Sequence, residues 1–313
     1  MPRSTYIEDD PVKIKRRRIL FCVVAAVLLF LPITELLFRN NILKFSVSDK
    51  MVEALKITAS DNSAYTEFLN VGQGDCTVIK DGEFTVVVDF GPKCENGELY
   101  NALLKRGIHK IDLAVVTHNH ADHLGGLIDL FGKIKINELM ISPVNSKDAD
   151  SDIYNKVIAL AKNNNTPIRA LKAKTGFKFG SSFITVKYLD EYAEKENNSS
   201  AVIEANVRGL KVLIAGDFSN EKELLKTNTD IKADVLKLSH HGSATSTKPE
   251  FLLKVSPKVA VASCGYDNLY SHPSDKVSKR LEEAGIRMYR TDLDYSVKCV
   301  YNKGKITVIT ERG

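Results

Sequence analysis

One short segment of the chain holds an unusual density of metal-ligand side chains. The stretch "VVTHNHADHLGGL" at 115–127 places His118, His120, Asp122 and His123 within six positions. Imidazole and carboxylate groups bind zinc, manganese or iron. Two histidines separated by one residue can bind one ion, and Asp122 and His123 can reach a second ion a few ångströms away. Two such ions activate a water molecule and bind a phosphoryl or carbonyl oxygen.

The remaining histidines lie in similar positions. Of the seven histidines in the chain, three lie in this stretch, and His240, His241 and His272 lie in two other segments that follow predicted strands. Only His109 lies elsewhere. Chance does not readily produce such clustering, which argues against a polar loop that is rich in histidine by accident.

Three carboxylates also follow apolar runs. Asp217 ends the strand-like "LIAGDF", where it could bridge two metals, although a carboxylate there is otherwise an ordinary turn residue. Asp89 lies in "VVVDFG", and Asp75 lies in the glycine-containing "VGQGDC". Each signal is weak alone, and together they predict a metal-dependent hydrolytic centre.

The elements that would position these residues alternate between short β-rich runs and helical patterns. The predicted strands cover 65–71, 76–80, 84–90, 111–118, 136–143, 182–190, 200–209, 210–218, 234–240, 258–265, 295–301 and 304–310. The predicted helices cover 96–107, a segment from 124, 152–164, a segment near 219–226, a segment from Lys248, and 274–285 with Ser274 as N-cap. Two halves of this kind predict an α/β protein with two packed sheets and helices outside.

The charge distribution gives little support for a basic nucleic-acid-binding surface. Residues 1–18 hold six basic and three acidic side chains, so residues 40–313 carry only +2 of the net charge of +5. A dedicated nucleic-acid binder usually shows a concentrated basic surface. A local basic groove stays possible, because the sequence does not show where surface charges cluster.

A membrane anchor is predicted near the start of the chain. Residues 19–38, "ILFCVVAAVLLFLPITELLF", are about as long as a bilayer-spanning helix and carry one charge, Glu35. "KIKRRR" at 13–18 precedes them, so the positive-inside rule predicts a cytoplasmic tail at 1–18 and an extracytoplasmic body. The alternatives are a cleaved signal peptide and a buried soluble helix. A polar linker at 39–62 would lead to a hydrolase domain at 63–313.

The cysteine spacing excludes a zinc ribbon, since no C-x-x-C pair occurs. An extracytoplasmic location would permit disulfides, but their connectivity cannot be read from sequence. We expect Cys76 and Cys264 to be small core residues.

Taken together, these motifs resemble the metallo-β-lactamase-fold hydrolases. H-x-H-x-D-H after a strand, with D-x-G upstream and G-D downstream, is the pattern of that superfamily. "FLNVGQGDC", "THNHADHLGGL", "ENNSSAVI", "LSHHGSATS" and "NLYSHPS" resemble the ComEC-type subgroup more narrowly. That subgroup includes the C-terminal domain of the DNA-uptake channel of competent bacteria; here a single predicted anchor precedes the domain instead of a multi-span channel.

The resemblance implies an αββα sandwich with two divalent metal ions, zinc or manganese, at one edge of the sheets. It assigns the first metal to His118 and His120, and it assigns the second metal to Asp122, His123 and His272. Asp217 would bridge the metals, and the residues behind the ligands would be Asp75, Asp89, Asn198 and Ser199. Asp122, His240 and His241 would take part in catalysis, with one of the two adjacent histidines as general acid or as a further ligand.

The chain departs from the superfamily pattern at one ligand. Many members have another metal-binding histidine between the H-x-H-x-D-H loop and the G-D strand, but no histidine lies between Leu124 and Phe218. The ComEC-type pattern has N-N-x-S in this region, here Asn197, Asn198 and Ser199. The first site is therefore expected to be weak or vacant, filled only with substrate, or selective for manganese.

Two classes of function follow. The first is a metal-dependent hydrolase, foremost a phosphodiesterase or nuclease that acts on DNA outside the cytoplasm, with other ester and amide substrates as alternatives within the superfamily. The second is a membrane-tethered DNA-binding protein with a vestigial metal site. A separate DNA-uptake channel is a candidate partner in both.

Overall fold

The computed structural model describes residues 63–94, 96–143 and 147–312. They belong to the unit that spans Asp61–Gly313. The tail predicted at 1–18, the anchor at 19–38 and the linker at 39–62 lie outside the described residues. Within the described part of the chain, no helix has the length and apolar character needed to cross a bilayer.

Most of the described chain alternates between short strands and short helices. The strands are β1 Ala64–Phe68, β2 Thr77–Asp81, β3 Phe84–Val88, β4 Lys110–Ile111, β5 Leu113–Val116, β6 Lys135–Ile136, β7 Leu139–Ile141, β8 Ile168–Ala170, β9 Gly176–Phe179, β10 Ser182–Tyr188, β11 Val202–Val207, β12 Leu210–Ile214, β13 Val235–Lys237, β14 Val259–Ala262, β15 Arg287–Arg290, β16 Val297–Asn302 and β17 Lys305–Thr310. The helices are α1 Glu98–Lys105, α2 Ala121–Leu124, α3 Leu127–Leu130, α4 Ser151–Asn163, α5 Glu221–Lys226, α6 Pro249–Val255, α7 Asp275–Glu283 and α8 Thr291–Asp294. Two 3-10 turns lie at Glu196–Ser199 and Ser239–Gly242.

The strands form two large sheets. The first has the order β17-β16-β1-β2-β3-β5-β7-β8, and the second has the order β15-β14-β13-β12-β11-β10-β9. β4 and β6 form a separate two-stranded ladder. β10, β11 and β12 form the predicted antiparallel meander, and β9 pairs with β10 at its edge.

Three apolar layers hold the fold together. The central layer joins residues from both sheets, for example Val115 of the first sheet and Val212 of the second. An outer layer packs the first sheet against α1 to α4, and another packs the second sheet against α5 to α7. The predicted α/β architecture, an αββα sandwich, is confirmed.

Side-chain alternation explains why the inner strands are apolar throughout. In β5, Leu113 and Val115 face the central layer, whereas Ala114 and Val116 face the helices. Both faces of the strand are buried, so polar residues are excluded until the strand ends. The polar residues that follow β5 therefore emerge at the edge of the sheet.

The parallel part of each sheet brings the functional loops to one edge. β3, β5 and β7 are parallel in the first sheet, and β12, β13 and β14 are parallel in the second. Asp89, His118 and Asp217 follow the carboxyl ends of β3, β5 and β12. The Ala201 N–H donates to Thr117 O at 3.0 Å across the two sheets, which aligns these edges.

Several predicted elements differ in detail from the structure. The strand predicted at 111–118 is divided, because Ile111 pairs with β6 outside the large sheet. β8, β9 and β15 were not predicted, and the helix predicted from 124 is two short helices, α2 and α3. The C-terminal hairpin β16–β17 joins the first sheet beside β1, because Val297 and Cys299 fill the central layer there.

The cysteine and capping predictions are confirmed. Cys76 and Cys264 are fully buried. The four cysteines of the described residues, Cys76, Cys94, Cys264 and Cys299, are all free. The Ser274 side chain accepts a hydrogen bond from the Val277 N–H at the start of α7.

Candidate metal centre

The H-x-H-x-D-H loop is fixed by backbone hydrogen bonds to buried carboxylates. The Thr117 N–H donates to Asp89 Oδ1 at 2.8 Å, and the Asn119 N–H donates to Glu196 Oε1 at 2.7 Å. Asp89, Asn119 and Glu196 are buried, so these bonds are shielded from water. These two backbone N–H groups of the loop therefore have buried hydrogen-bond acceptors. The histidine side chains of the loop are left to face the candidate metal centre.

The first group of candidate ligands consists of His118, His120 and Asp217. Their ligand atoms all lie within 4.8 Å of one another. His118 Nε2 lies 3.2 Å from His120 Nδ1. In a tetrahedral zinc site with bonds of about 2.0–2.1 Å, ligand atoms are separated by roughly 3.3 Å. Burial lowers the pKa of His118 well below its usual value, which keeps its lone pair free for a metal.

The second group consists of Asp75, His123, Asp217 and His241. His123 Nε2 and His241 Nε2 lie 3.2 and 3.5 Å from the same atom, Asp217 Oδ1. Asp217 thus belongs to both groups, in the bridging position that the sequence predicts. The His123, Asp217 and His241 side chains come from three distant parts of the chain, and the ends of β5, β12 and β13 bring them together.

Asp75 belongs to the second group and Asp122 lies beside it, and the two carboxylates face different atoms. Asp122 Oδ2 lies 3.1 Å from His241 Nε2 and 4.0 Å from His123 Nε2. Asp75 Oδ1 lies 3.1 Å from His241 Nδ1, on the opposite side of the ring, and Asp75 forms an ion pair with the buried Lys237. The Nε2 atoms converge on Asp122 and Asp217, so Asp122 fits a ligand and Asp75 fits an orienting carboxylate.

Asp89 lies behind His123 as predicted for an orienting residue. Asp89 Oδ2 lies 2.9 Å from His123 Nδ1 and accepts a hydrogen bond from Thr117 Oγ1 at 2.8 Å. Burial raises the pKa of Asp89, although His123 opposes this shift. A proton on Nδ1 leaves Nε2 as the metal-facing atom, the arrangement usual for metal-binding histidines.

His240 and His241 lie in a strained turn that directs them to different places. Both residues have left-handed backbone conformations, with φ of 52° and 54°. Such strain in non-glycine residues is concentrated at functional sites. His241 is buried within the second group, whereas His240 Nε2 lies 3.7 Å from Asp217 Oδ2 and faces the cavity. The structure thus separates two residues that the sequence could not.

The structure does not bring His272 into either ligand group of the described residues. Its ring centroid lies 5.6 Å from that of His240 and 6.2 Å from that of His241. His241, from the left-handed turn after β13, lies in the second group where the resemblance placed His272. Burial, together with His241 and His240, lowers the pKa of His272 to about 4.

Charges across the centre shift pKa values in opposite directions. Burial acts to raise the pKa of Asp217, but His241 and His123 outweigh it and hold that pKa well below its usual range. Burial acts to lower the pKa of His241, but Asp217 and Asp75 raise it to about 10. Burial is also outweighed at Asp122, where His123 and His241 lower the pKa to about 2. The ionised carboxylates stabilise positive charge here, which a cation would supply in place of imidazole protons.

The described residues fit a pair of divalent cations. Asp217 Oδ1 and His123 Nε2 are buried and have no hydrogen-bond partner among the described residues. A buried polar atom without a hydrogen-bond partner destabilises the folded protein unless an ion or a water molecule binds to it. The donor set of imidazole and carboxylate suits zinc, manganese or iron. The arrangement is a candidate dinuclear metal centre, and it leaves the identity of the metal open.

The N-N-x-S segment contributes differently from the prediction. Asn197 Nδ2 lies 3.5 Å from His240 Nε2, and Asn197 lines the metal cavity. Asn198 does not line that cavity but lines a neighbouring one. The Ser199 Oγ donates to Glu196 O at 2.7 Å and stabilises the 3-10 turn. Asn197 is therefore the residue of this segment that faces the candidate metal centre.

The centre opens into a cavity of about 430 Å³. Its walls are formed by Gln73, Pro92, His120, Ala121, Asp122, Asp150, Asn197, Asp217, His240, His241, Tyr270 and His272. The Tyr270 ring is 68% exposed and stacks on His272 at a centroid distance of 5.7 Å, so an aromatic surface borders the opening. A substrate group of moderate size can reach the metal-facing atoms from this side.

Sequence reasoning missed Lys237, Gln73, Asn197 and Tyr270. Lys237 is fully buried in β13, where its ion pair with Asp75 lies beneath the second group. A lysine within the apolar run "DVLKLSH" was the available signal, since a buried lysine needs a carboxylate partner.

Comparison with known proteins gives a consistent result. Residues 69–174 match the Metallo-beta-lactamase superfamily. The chain is 32% identical over 202 residues to ComE operon protein 3 of Bacillus subtilis, which covers 64% of this chain and 26% of that protein. It is 26% identical over 251 residues to Competence protein ComA of Neisseria gonorrhoeae, which covers 79% of this chain and 33% of that protein. The chain thus spans about a quarter to a third of the length of these relatives.

Solved structures show the same fold at low identity. CmlA, a diiron beta-hydroxylase from Streptomyces venezuelae, has a TM-score of 0.53 and 15% identity, covering 78% of this chain and 55% of that chain. The metallo-beta-lactamase fold protein YhfI from Bacillus subtilis has a TM-score of 0.50 and 12% identity, covering 75% of this chain and 99% of that chain. At these identities the likeness shows the fold alone.

Proposed function

We propose that this chain, which is similar to ComEC-type competence proteins and has the metallo-β-lactamase fold, is a metal-dependent hydrolase that cleaves phosphodiesters, DNA among them, outside the cytoplasm. The observation that carries the proposal is the pair of ligand groups that share Asp217 at the base of an open cavity. When bound, two divalent cations there would activate a water molecule and polarise a phosphoryl oxygen. The similarity to competence proteins supports a phosphodiester substrate over other esters and amides.

Around such a substrate, His240 is placed to assist the leaving group. Its ring lines the cavity, Nε2 lies 3.7 Å from Asp217 Oδ2, and Nδ1 has no hydrogen-bond partner among the described residues. Burial lowers the pKa of His240 in the free protein. A phosphodiester anion in the cavity would raise that pKa, so the imidazole could hold a proton and transfer it to the departing oxygen.

Asn197 supports this arrangement from the opposite wall. Its amide faces His240 Nε2 at 3.5 Å, and its Oδ1 is buried without a hydrogen-bond partner in the described residues. The amide can therefore orient the imidazole or donate to a phosphoryl oxygen. The resemblance gave Asn198, the next residue, a place behind the metal ligands.

A metal-replacement panel on the full chain, purified in detergent, tests the function. Protein stripped with a chelator is reloaded with zinc, manganese or magnesium and assayed on single-stranded DNA, double-stranded DNA, bis-(p-nitrophenyl) phosphate and nitrocefin. We expect metal-dependent cleavage of the phosphodiesters and no comparable turnover of nitrocefin. Nitrocefin turnover without phosphodiester cleavage would contradict the proposal.

Two matched variants separate the centre from the rest of the surface. Asp122→Ala should reduce cleavage by at least about a hundredfold, since it removes a candidate ligand that contributes little to core packing. Asp152→Ala removes an exposed carboxylate in the first turn of α4 and should leave cleavage unchanged. Full activity of the Asp122 variant would show that the assigned centre is wrong.

Metal content distinguishes this enzyme from the alternative of a vestigial DNA-binding protein. The full chain is dialysed against zinc or manganese, and bound metal is measured by mass spectrometry. We expect substantial uptake that depends on Asp217. A protein that takes up neither metal, yet binds DNA, would support the vestigial alternative.

We also propose that residues 19–38 tether the hydrolase domain to the outer face of the cell membrane, beside a separate DNA-uptake channel. The hydropathy of that segment and the basic residues before it support the orientation. Alkaline phosphatase fused at the C-terminus should be active in a bacterial host, and a green fluorescent protein fused there should stay dark. The reverse pair of results would place the domain in the cytoplasm.

A further inference from the structure

We infer that a second cavity beside the metal centre, formed around Lys195 and Lys248, binds the phosphate that neighbours the scissile one. The preferred substrate would then carry at least two phosphodiester groups. This inference rests on the proposed phosphodiesterase function and names the substrate class of that site.

The second cavity has a volume of about 460 Å³ and lies next to the metal cavity, with which it shares lining residues. It is lined by Lys195, Asn197, Asn198, Ser219, Asn220, His240, Thr245 and Lys248. Asn197 and His240 line both cavities. A chain of phosphodiesters could therefore pass from the metal-facing atoms across these two side chains into the second cavity.

The two cavities have opposite charge. The metal cavity is lined by Asp122, Asp150 and Asp217, which suit cations. The second cavity is lined by two lysines and by amide and hydroxyl groups, with no carboxylate among its described lining residues. Neither lysine ammonium takes part in an ion pair within the described part of the chain. The Lys248 charge also acts on the Glu221 carboxylate, but that residue does not line the cavity, so the lining favours an anion such as phosphate.

Lys248 is carried by a rigid loop. The buried Glu221 carboxylate accepts hydrogen bonds from the Thr247 N–H at 2.5 Å and from the Lys248 N–H at 2.9 Å. Arg280 Nη1 donates to Ser246 O at 3.1 Å and to Thr247 O at 3.2 Å. The backbone beneath Lys248 is thus held in one position, so less order must be imposed when an anion binds.

Lys195 is linked to the metal loop itself. It directly precedes the 3-10 turn Glu196–Ser199, whose first residue anchors it. The Glu196 N–H donates to Asp148 Oδ1 at 2.9 Å, and Glu196 Oε1 accepts from the Asn119 N–H at 2.7 Å. Asn119 lies between two candidate metal ligands, so the position of Lys195 is coupled to that of the metal centre.

Short thymidylates that differ by one nucleotide unit test the inference. TpT has two thymidines and one phosphodiester, whereas TpTpT has a third thymidine and a second phosphodiester, so the lysine variant below must separate the contribution of the added phosphate from that of the added nucleoside. With the full chain and its preferred metal, we expect kcat/KM for TpTpT to exceed that for TpT by at least about tenfold. The double variant Lys195→Gln/Lys248→Gln should reduce this advantage to less than about threefold.

The control removes the same charge elsewhere. Lys133 and Lys135 line a different cavity, which shares no lining residue with the two at the metal centre. The variant Lys133→Gln/Lys135→Gln should keep the full advantage of TpTpT. Absence of an advantage in the wild type, or its persistence in the Lys195/Lys248 variant, would overturn the inference.

A binding measurement keeps the inference testable if no substrate is hydrolysed, which would count against the proposed function alone. Fluorescence anisotropy of a labelled octathymidylate is followed against salt concentration in the presence of a chelator. Each lost lysine–phosphate contact on a single strand lowers the slope of log K against log salt by about 0.7, so the Lys195/Lys248 variant should lose about 1.4. Equal slopes for this variant, the control and the wild type would overturn the inference.

Discussion

Replacement of Asp89 by asparagine tests how the centre is organised, because it changes one charge and almost no volume. In the wild type, Asp89 Oδ1 accepts from the Thr117 N–H at 2.8 Å, and Oδ2 lies 2.9 Å from His123 Nδ1. An amide that keeps its oxygen toward Thr117 turns its NH2 group toward His123. If His123 keeps its proton on Nδ1, that N–H then faces the asparagine NH2 group and both are donors. If the proton moves from Nδ1 to Nε2, it occupies the atom that would bind the metal.

The size of the effect follows from the one hydrogen bond that is lost. A hydrogen bond to a charged group contributes about 1.5–3 kcal/mol, so affinity for the ion beside His123 should fall by roughly 10- to 100-fold. The ion beside His118 and His120 should be affected less, since Asp89 contacts neither imidazole. Because burial raises the pKa of Asp89, the metal-free variant should be about as stable as the wild type.

Competition with a chromophoric zinc chelator measures the two affinities, and urea unfolding of the metal-free protein controls for stability. Asp112→Asn is a matched control, since Asp112 Oδ2 accepts from the Thr85 N–H at 3.0 Å and the residue lies outside the centre. If the Asp89 variant binds both ions as tightly as the wild type, Asp89 does not set the orientation of His123, and the reasoning fails.

Three further perturbations probe the shared ligand, a buried acid and the packing of the metal loop. Asp217→Asn should lose both metals, because Asp217 belongs to both groups, whereas His120→Ala should lose only about one of them; equal losses by mass spectrometry would contradict the two-group arrangement. Burial raises the pKa of Glu221 from 4.5 to about 7 in the folded protein. As pH rises from about 4.5 to about 7, the unfolded chain loses this proton before the folded protein does, so the free energy of unfolding falls. The Glu221→Gln side chain stays neutral at every pH. The free energy of unfolding of this variant, measured with urea, should therefore rise by roughly 3 kcal/mol relative to that of the wild type over the same pH range. A difference between the two proteins that does not vary with pH would refute this. In Gly126→Ala, the added Cβ would lie 2.0 Å from Phe90 O. We therefore expect the free energy of unfolding, measured with urea, to fall by roughly 1–3 kcal/mol or more. An unchanged urea midpoint would show that the backbone moves to accommodate the methyl group without loss of stability.

Local pattern was sufficient for most of the strands and for the group of ligands that lie together in the chain. In β5, apolar residues on both faces are followed at once by His118 and His120, whose separation by one residue is a covalent constraint. The convergence of His118 and His120 on Asp217 could be expected, because the two histidines follow the carboxyl end of one buried strand and Asp217 follows the carboxyl end of another. The orienting role of Asp89 was implied by the resemblance to the metallo-β-lactamase-fold hydrolases.

Residues distant in the chain could not be assigned in this way. His241 Nε2 contacts Asp122 Oδ2 across 119 positions, whereas the resemblance implied His272 as a ligand and left open whether His240 or His241 is a further one. The choice depends on a left-handed turn at His240 and His241, a conformation that non-glycine residues rarely adopt and that only the surrounding packing can impose.

The sequence by itself therefore determined which chemical groups are available and which face of each strand is buried, because both follow from spacing along a covalent chain. Only the tertiary structure decided which of three histidines enters the centre, that Lys237 is paired beneath it, and that two lysines lie beside it. These outcomes depend on how separate sheet edges are aligned by the packed core, and spacing along the chain does not contain that information.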